Sequence, residues 1–162
     1  MGFGTGLNAI LSLIEAEKTN KMLIYDCIEK FPLTDGIIDT LNYKDILPPG
    51  YSEKFVAIHH GKWNEQLNFQ NMRLTKILGD FIKYEFTGFY DLIYFDAFGP
   101  EKQPELWSEE IFQKIFNTIN KGGLLLTFSV KGEVQRGLHK AGFKIERLTG
   151  PPCKKQILRA LK

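Results

Sequence analysis

Four short apolar runs, separated by segments with helical spacing, restrict this chain to an α/β architecture. Met22–Ile28 (MLIYDCI), Leu74–Leu78, Asp91–Phe95 (DLIYF) and Leu124–Val130 (LLLTFSV) have the length of strands. Apolar residues recur in them without alternation, as in strands covered on both faces. Asn8–Glu17 (NAILSLIEAE) and Val134–Ala141 have helical spacing, and Gly142 suits the end of the second. Ser108 followed by Glu109 and Glu110 reads as an N-cap with acids in the first turn, opening a helix to about Ile119. Pro48, Pro49 and Gly50 punctuate the middle. Lys144–Leu148 and Gln156–Leu161, joined through Gly150-Pro151-Pro152, predict an antiparallel hairpin at the C-terminus. The alternation predicts an open α/β sheet, mostly parallel, with helices on both faces and an antiparallel last strand.

At 162 residues the chain fits a single domain spanning 1–162. No apolar run is long enough for a membrane-spanning helix, and no secretory signal is visible. Two cysteines, Cys27 and Cys153, are too few for a disulfide framework, so a reducing cytoplasm is expected. The net charge is only +2, but it is unevenly spread. From Lys131 onward nine Lys or Arg stand against two acids, Glu133 and Glu146. Such a basic end on an acidic body marks either a nucleic-acid face or a solvated surface.

The ends of the apolar runs carry the chemistry. Gly2, Gly4 and Gly6 stand as G-F-G-T-G directly before the first helix. Glycines there let backbone approach a ligand, and a helix N-terminus favours anionic or polar groups; a plain turn uses the same residues. Glu29 closes the second predicted element, where an acid accepts the hydroxyls of a ribose. NAD and S-adenosylmethionine both carry that ribose, so a methyltransferase and an NAD-dependent oxidoreductase remain open here. The oxidoreductase requires a catalytic donor such as a Tyr-Lys pair, and none is evident. Asp80 follows Gly79 at the next strand end, suited to an adenine amino group or to a turn. Asp96 opens D-A-F-G-P-E-K-Q-P-E-L-W, with aromatic Phe98 and Trp107 and stiff Pro100 and Pro104. That combination suits an amine held by a carboxylate beside an aromatic wall, or a structural loop staple.

Taken together, these motifs resemble the methyltransferase domain of the MnmC family and its stand-alone MnmD homologues. The matching residues are G-F-G-T-G-L-N at Gly2–Asn8, then Glu29-Lys30-Phe31-Pro32-Leu33, Leu78-Gly79-Asp80, and Asp96–Trp107. Gly132–Phe143 matches a further signature, with Gln135 in place of an arginine. The resemblance implies a Rossmann-like class I S-adenosylmethionine-dependent methyltransferase whose first strand is missing, an N-terminal truncation. It implies methyl transfer from S-adenosylmethionine to the aminomethyl nitrogen of 5-aminomethyl-2-thiouridine at the tRNA wobble position. Expected cofactor residues are Gly2, Phe3, Gly4, Thr5, Gly6, Asn8, Glu29, Lys30, Gly79, Asp80 and Asp96. Asp96 is also expected to hold the amine. Phe98, Pro100, Lys102 and Trp107 are expected near the substrate base, and Lys131, Arg136, Lys154 and Lys155 near phosphates. A separate enzyme, flavin-dependent or other, would supply the aminomethyl substrate. A truncated, non-catalytic RNA-binding domain is the remaining alternative.

No metal site is expected, and no membrane partner. His59 and His60, read as part of an extended segment, point to opposite faces. Cys27 reads as a small core residue; Cys153, between prolines and lysines, has no evident catalytic partner. Trp63 and the polar stretch Asn64–Asn71 read as a loop or small excursion.

Overall fold

The computed structural model describes residues 1–152 and 154–162; Cys153 lies outside the described residues. The chain divides into two compact units, one of Gly2–Phe81 and one of Ile82–Lys162 with Met1.

The first unit contains helix α1 (Leu7–Thr19), strand β1 (Leu23–Glu29), the short helices α2 (Asp35–Ile38) and α3 (Tyr43–Ile46), α4 (Tyr51–His60), and strands β2 (Gln66–Phe69) and β3 (Met72–Leu78). Its sheet order is β1-β3-β2, with β1 parallel to β3 and β2 antiparallel to it. The stretch read as a loop thus contains a strand: Gln66–Phe69 turns back on Met72–Thr75 as a hairpin arm. Four residues with the apolar pair Leu67 and Phe69 on one face are too short for periodicity to reveal. Apolar residues at i, i+3 and i+4 bury one stripe of α1 (Ala9, Ile10, Leu13) and one of α4 (Phe55, Ile58), and both join Cys27, Met72 and Leu74 in one core. Asn20, in the left-handed region at φ 50°, stops α1, while the amide of Lys21 returns to Ala16 O at 3.0 Å.

The second unit contains β4 (Tyr90–Phe95), a 3₁₀ turn at Pro104–Trp107, α5 (Glu109–Thr118), β5 (Ile119–Thr127), α6 (Gly132–Lys140), β6 (Lys144–Thr149) and β7 (Gln156–Leu161). The sheet order is β4-β5-β7-β6; β4 and β5 are parallel, the other two pairings antiparallel. The expected parallel character is therefore confined to β1–β3 and β4–β5, the pairs whose ends carry the carboxylates. β5 begins at Ile119, earlier than expected, and takes in Gly122 (φ 81°) at an irregularity in its register with β4. Ser108 caps α5 as expected, its Oγ accepting from Ile111 N at 3.4 Å. β6 and β7 form the expected hairpin, closed by Gly150 N donating to Lys155 O.

Helices α5 and α6 meet where Gly137 faces Phe112. A Cβ on Gly137 would lie 2.6 Å from the Phe112 ring, which is itself 1% exposed. Gly137→Ala is expected to destabilise this unit by about 1–3 kcal/mol, because overpacking outweighs the roughly 1 kcal/mol gain in helix propensity. A lowered urea midpoint with unchanged slope would show it; a raised midpoint would mean the ring simply moves aside.

Candidate functional site

In the first unit, the glycine loop is built by three positive φ angles: 77° at Gly2, 53° at Gly4 and 72° at Gly6. Side chains rarely tolerate that region, so the spacing of the glycines follows from the path of the backbone. Gly6 is the N-cap of α1 and has no side chain to cap the first turn. Thr5 is fixed from two sides. Its hydroxyl lies 3.0 Å from the Tyr43 hydroxyl, and its carbonyl accepts from His59 Nε2 at 3.1 Å. Phe3 is buried and turns its ring toward His59 and Trp63.

Glu29, the last residue of β1, is tied to this loop. Its Oε2 accepts the amides of Phe3 (3.1 Å) and Gly4 (3.2 Å), and its Oε1 accepts the amide of Phe31 (2.9 Å). Across the parallel pair, Gly79 N donates to Glu29 O at 3.0 Å, holding the two strand ends level. Lys30 pairs with Asp80 at 2.9 Å, so two expected cofactor residues neutralise each other in this structure. Asn8 lies in the first turn of α1. Gly2, Phe3, Gly4, Thr5, Gly6, Asn8, Glu29, Lys30, Gly79 and Asp80 thus belong to one cluster of loop and strand ends. Cys27 is buried, and burial pushes its thiol up to about 12, which removes it as a nucleophile.

In the second unit, Asp96 is exposed directly after β4, between the buried Phe95 and Ala97. Phe98 is 67% exposed. Trp107, expected beside the substrate, is buried against Phe95 (4.9 Å between centroids) and Phe112, and its Nε1 donates to Phe98 O at 2.8 Å. The indole thereby fixes the backbone under Phe98. Pro100 is buried as well. Lys102 Nζ lies 6.0 Å from the Phe98 ring centroid.

Two of the basic residues reach the same segment, Lys131 directly and Lys154 through Phe128. Lys131 pairs with Glu101 at 2.5 Å; that hydrogen bond holds the Glu101 carboxyl below the usual range and raises the Lys131 ammonium. Lys154 sits over Phe128 at 5.0 Å, and Phe128 faces Trp107 edge-on. Arg136 and Lys155 are exposed. Glu101 and Phe128 were not singled out from the sequence. Only contact with Lys131 and Lys154 gives them a role, and no spacing rule signals such contacts.

His59 and His60 are the last turn of α4, not part of an extended segment; His59 is buried and His60 exposed. Among the described residues, no group of three or more His, Cys, Asp or Glu is placed to hold a metal, and no helix is long and apolar enough to cross a membrane.

A glycine loop entering a helix, a carboxylate closing the next strand, and parallel strands ending in further acids define an α/β enzyme of the class that handles nucleoside-bearing cofactors. More specifically, the chain belongs to the S-adenosyl-L-methionine-dependent methyltransferase family, whose sequence model matches residues 50–162. That membership selects methyl transfer over the hydride chemistry the loop alone left open. The chain is similar to the tRNA 5-methylaminomethyl-2-thiouridine biosynthesis bifunctional protein MnmC of Pseudomonas syringae pv. tomato, with 33% identity over 98% of this chain. The same-named protein of Hydrogenovibrio crunogenus is 29% identical over 96%. The chain spans about a quarter of the length of these curated relatives, 25% and 24%. Among solved structures, MNMC2 from Aquifex aeolicus matches with a TM-score of 0.78 and 25% identity, over 99% of this chain and 51% of that one. The methyltransferase SibL shares the fold, with a TM-score of 0.55 at 14% identity over 99% of this chain and 48% of that one.

Proposed function

We propose that this chain is a methyltransferase domain that methylates the aminomethyl nitrogen of 5-aminomethyl-2-thiouridine at the tRNA wobble position. The observation that carries the reading is Asp96, an exposed carboxylate at the end of a parallel strand, followed two residues on by an exposed aromatic. Similarity to MnmC proteins, named for biosynthesis of tRNA 5-methylaminomethyl-2-thiouridine, the product of that methylation, supports the choice of substrate.

The residues present fit S-adenosylmethionine. Three positive-φ glycines and the uncapped start of α1 suit its polar tail, and the Glu29 carboxylate suits its ribose. When bound, it supplies a methyl group already activated by the sulfonium. What remains for the protein is positioning, which accounts for most of the acceleration in such a transfer. Asp96 holds and orients the neutral substrate amine and takes up the proton, directly or through water, that the nitrogen sheds once methylation has made it a secondary ammonium. Phe98, exposed two residues on, packs against a base drawn out of its stack. Lys154, Lys155 and Arg136 contact phosphates; Lys131 does so on release from Glu101. The aminomethyl group is supplied by another enzyme, flavin-dependent or other, and the reaction is placed in the cytoplasm with tRNA.

Incubation with methyl-labelled S-adenosylmethionine and tRNA carrying the aminomethyl nucleoside is expected to label that nucleoside, and to leave tRNA without it unlabelled. Binding of S-adenosylhomocysteine without any labelling would instead favour a non-catalytic RNA-binding domain.

A further inference from the structure

The mechanism above makes no use of the most unusual group in the first unit, a buried lysine. Lys76, on β3, is 0% exposed, and its ammonium meets a carbonyl and two ring faces rather than a carboxylate. Nζ donates to His59 O at 2.6 Å and lies 4.8 Å from the Trp63 ring centroid and 5.5 Å from that of Phe3. Burial of an ammonium on such terms is costly, and a chain selected for stability alone would place an apolar residue there.

The residue that Lys76 grips is the one beneath the glycine loop. His59 touches three of the loop's residues. Its ring packs on Phe3 at 5.1 Å between centroids, and its Nε2 lies 3.1 Å from Thr5 O. A Cβ on Gly6 would come within 2.9 Å of the same Nε2. The carbonyl can only accept, so the imidazole carries its proton on Nε2. Desolvation holds His59 below its ordinary pKa, against the hydrogen bond to Thr5 and with the Lys76 charge adding to it, which favours the neutral imidazole. Phe55 packs on the ring edge-on, 4.6 Å away between centroids. The imidazole is thus held by Lys76 through its backbone and by Phe55 through its ring, and it pins the loop by the Thr5 carbonyl.

We propose that His59, oriented by Lys76, is a positioning residue for cofactor binding, setting the shape of the glycine loop without touching the ligand. The proposal rests on the reading of that loop as the S-adenosylmethionine site. A donor at Nε2 is what matters, so His59→Gln, whose amide nitrogen reaches a similar point, should substitute where His59→Phe does not.

The test titrates S-adenosylhomocysteine into the wild-type chain, His59→Phe, His59→Gln and Lys76→Met, and follows amide hydrogen exchange at Phe3 and Gly4 without ligand. His59→Phe is expected to weaken binding about tenfold, the worth of one buried hydrogen bond, and His59→Gln to recover it to within about threefold. Lys76→Met is expected to weaken binding in the same direction while its melting temperature stays at or above wild type, since a desolvated charge is removed. In turnover the loss should fall on KM for S-adenosylmethionine, with kcat little changed. Faster exchange at Phe3 and Gly4 in His59→Phe, with β3 amides unchanged, would show loosening of the loop itself. Wild-type affinity and exchange in His59→Phe overturn the proposal. A wild-type chain that binds no S-adenosylhomocysteine removes the cofactor reading instead, and the exchange measurement then decides whether His59 holds the loop.

Discussion

Asp96→Ala is expected to slow methyl transfer by about 1,000-fold, while S-adenosylhomocysteine still binds within about fivefold of wild type. The carboxylate stands between two buried residues, Phe95 and Ala97, that fix its backbone, so truncation leaves the strand end in place. What is lost is the group that keeps the amine in line and takes its proton. Asp96→Asn separates these tasks: the amide still orients an amine but does not accept a proton at neutral pH, so partial activity would assign orientation the larger share. Single-turnover rates with labelled S-adenosylmethionine, alongside calorimetric titration, make both comparisons. Turnover unchanged in Asp96→Ala would remove this residue from the chemistry.

The largest effect on binding is expected at Glu29. Its carboxylate has about four acceptor positions. Three of the contacts on them come from the amides of Phe3, Gly4 and Phe31. Glu29→Ala therefore removes the side-chain ties of Phe3 and Gly4 to β1, leaving only Gly2 N on Ile28 O, and takes away the ribose acceptor as well. S-adenosylhomocysteine affinity should fall by about 100-fold or more, as charge-assisted hydrogen bonds are among the stronger ones. Glu29→Gln is expected to be nearly as damaging, because its amide NH₂ would face backbone N–H donors. Full affinity in Glu29→Gln would show that shape rather than charge is recognised at this strand end.

The legible parts of this chain were those where local chemistry leaves one option. The capping pattern at Ser108, the C-terminal hairpin and the strand ends at Glu29 and Asp96 are short-range features, and each stands where the sequence placed it. Elements that depend on distant contacts were not legible. β2 is a strand because Gln66–Phe69 finds β3 to pair with, and its polar composition gives no sign of that. Helix α4 brings His59 under a loop more than fifty positions earlier, a relation no window of sequence contains. Trp107 was ambiguous because an aromatic beside an acid serves equally as substrate wall or as core. In the structure it is buried and its indole N–H donates to Phe98 O.

β1 and β4 each stand at one end of their sheet's strand order. Protein edges are normally blunted with lysine or proline; β1 reads LIYDCIE and β4 reads YDLIYF, with neither. Ile24 is 68% and Leu92 40% exposed along them. On unfolding, such segments are free to pair between chains, so recovery of this protein after heating should fall as its concentration rises.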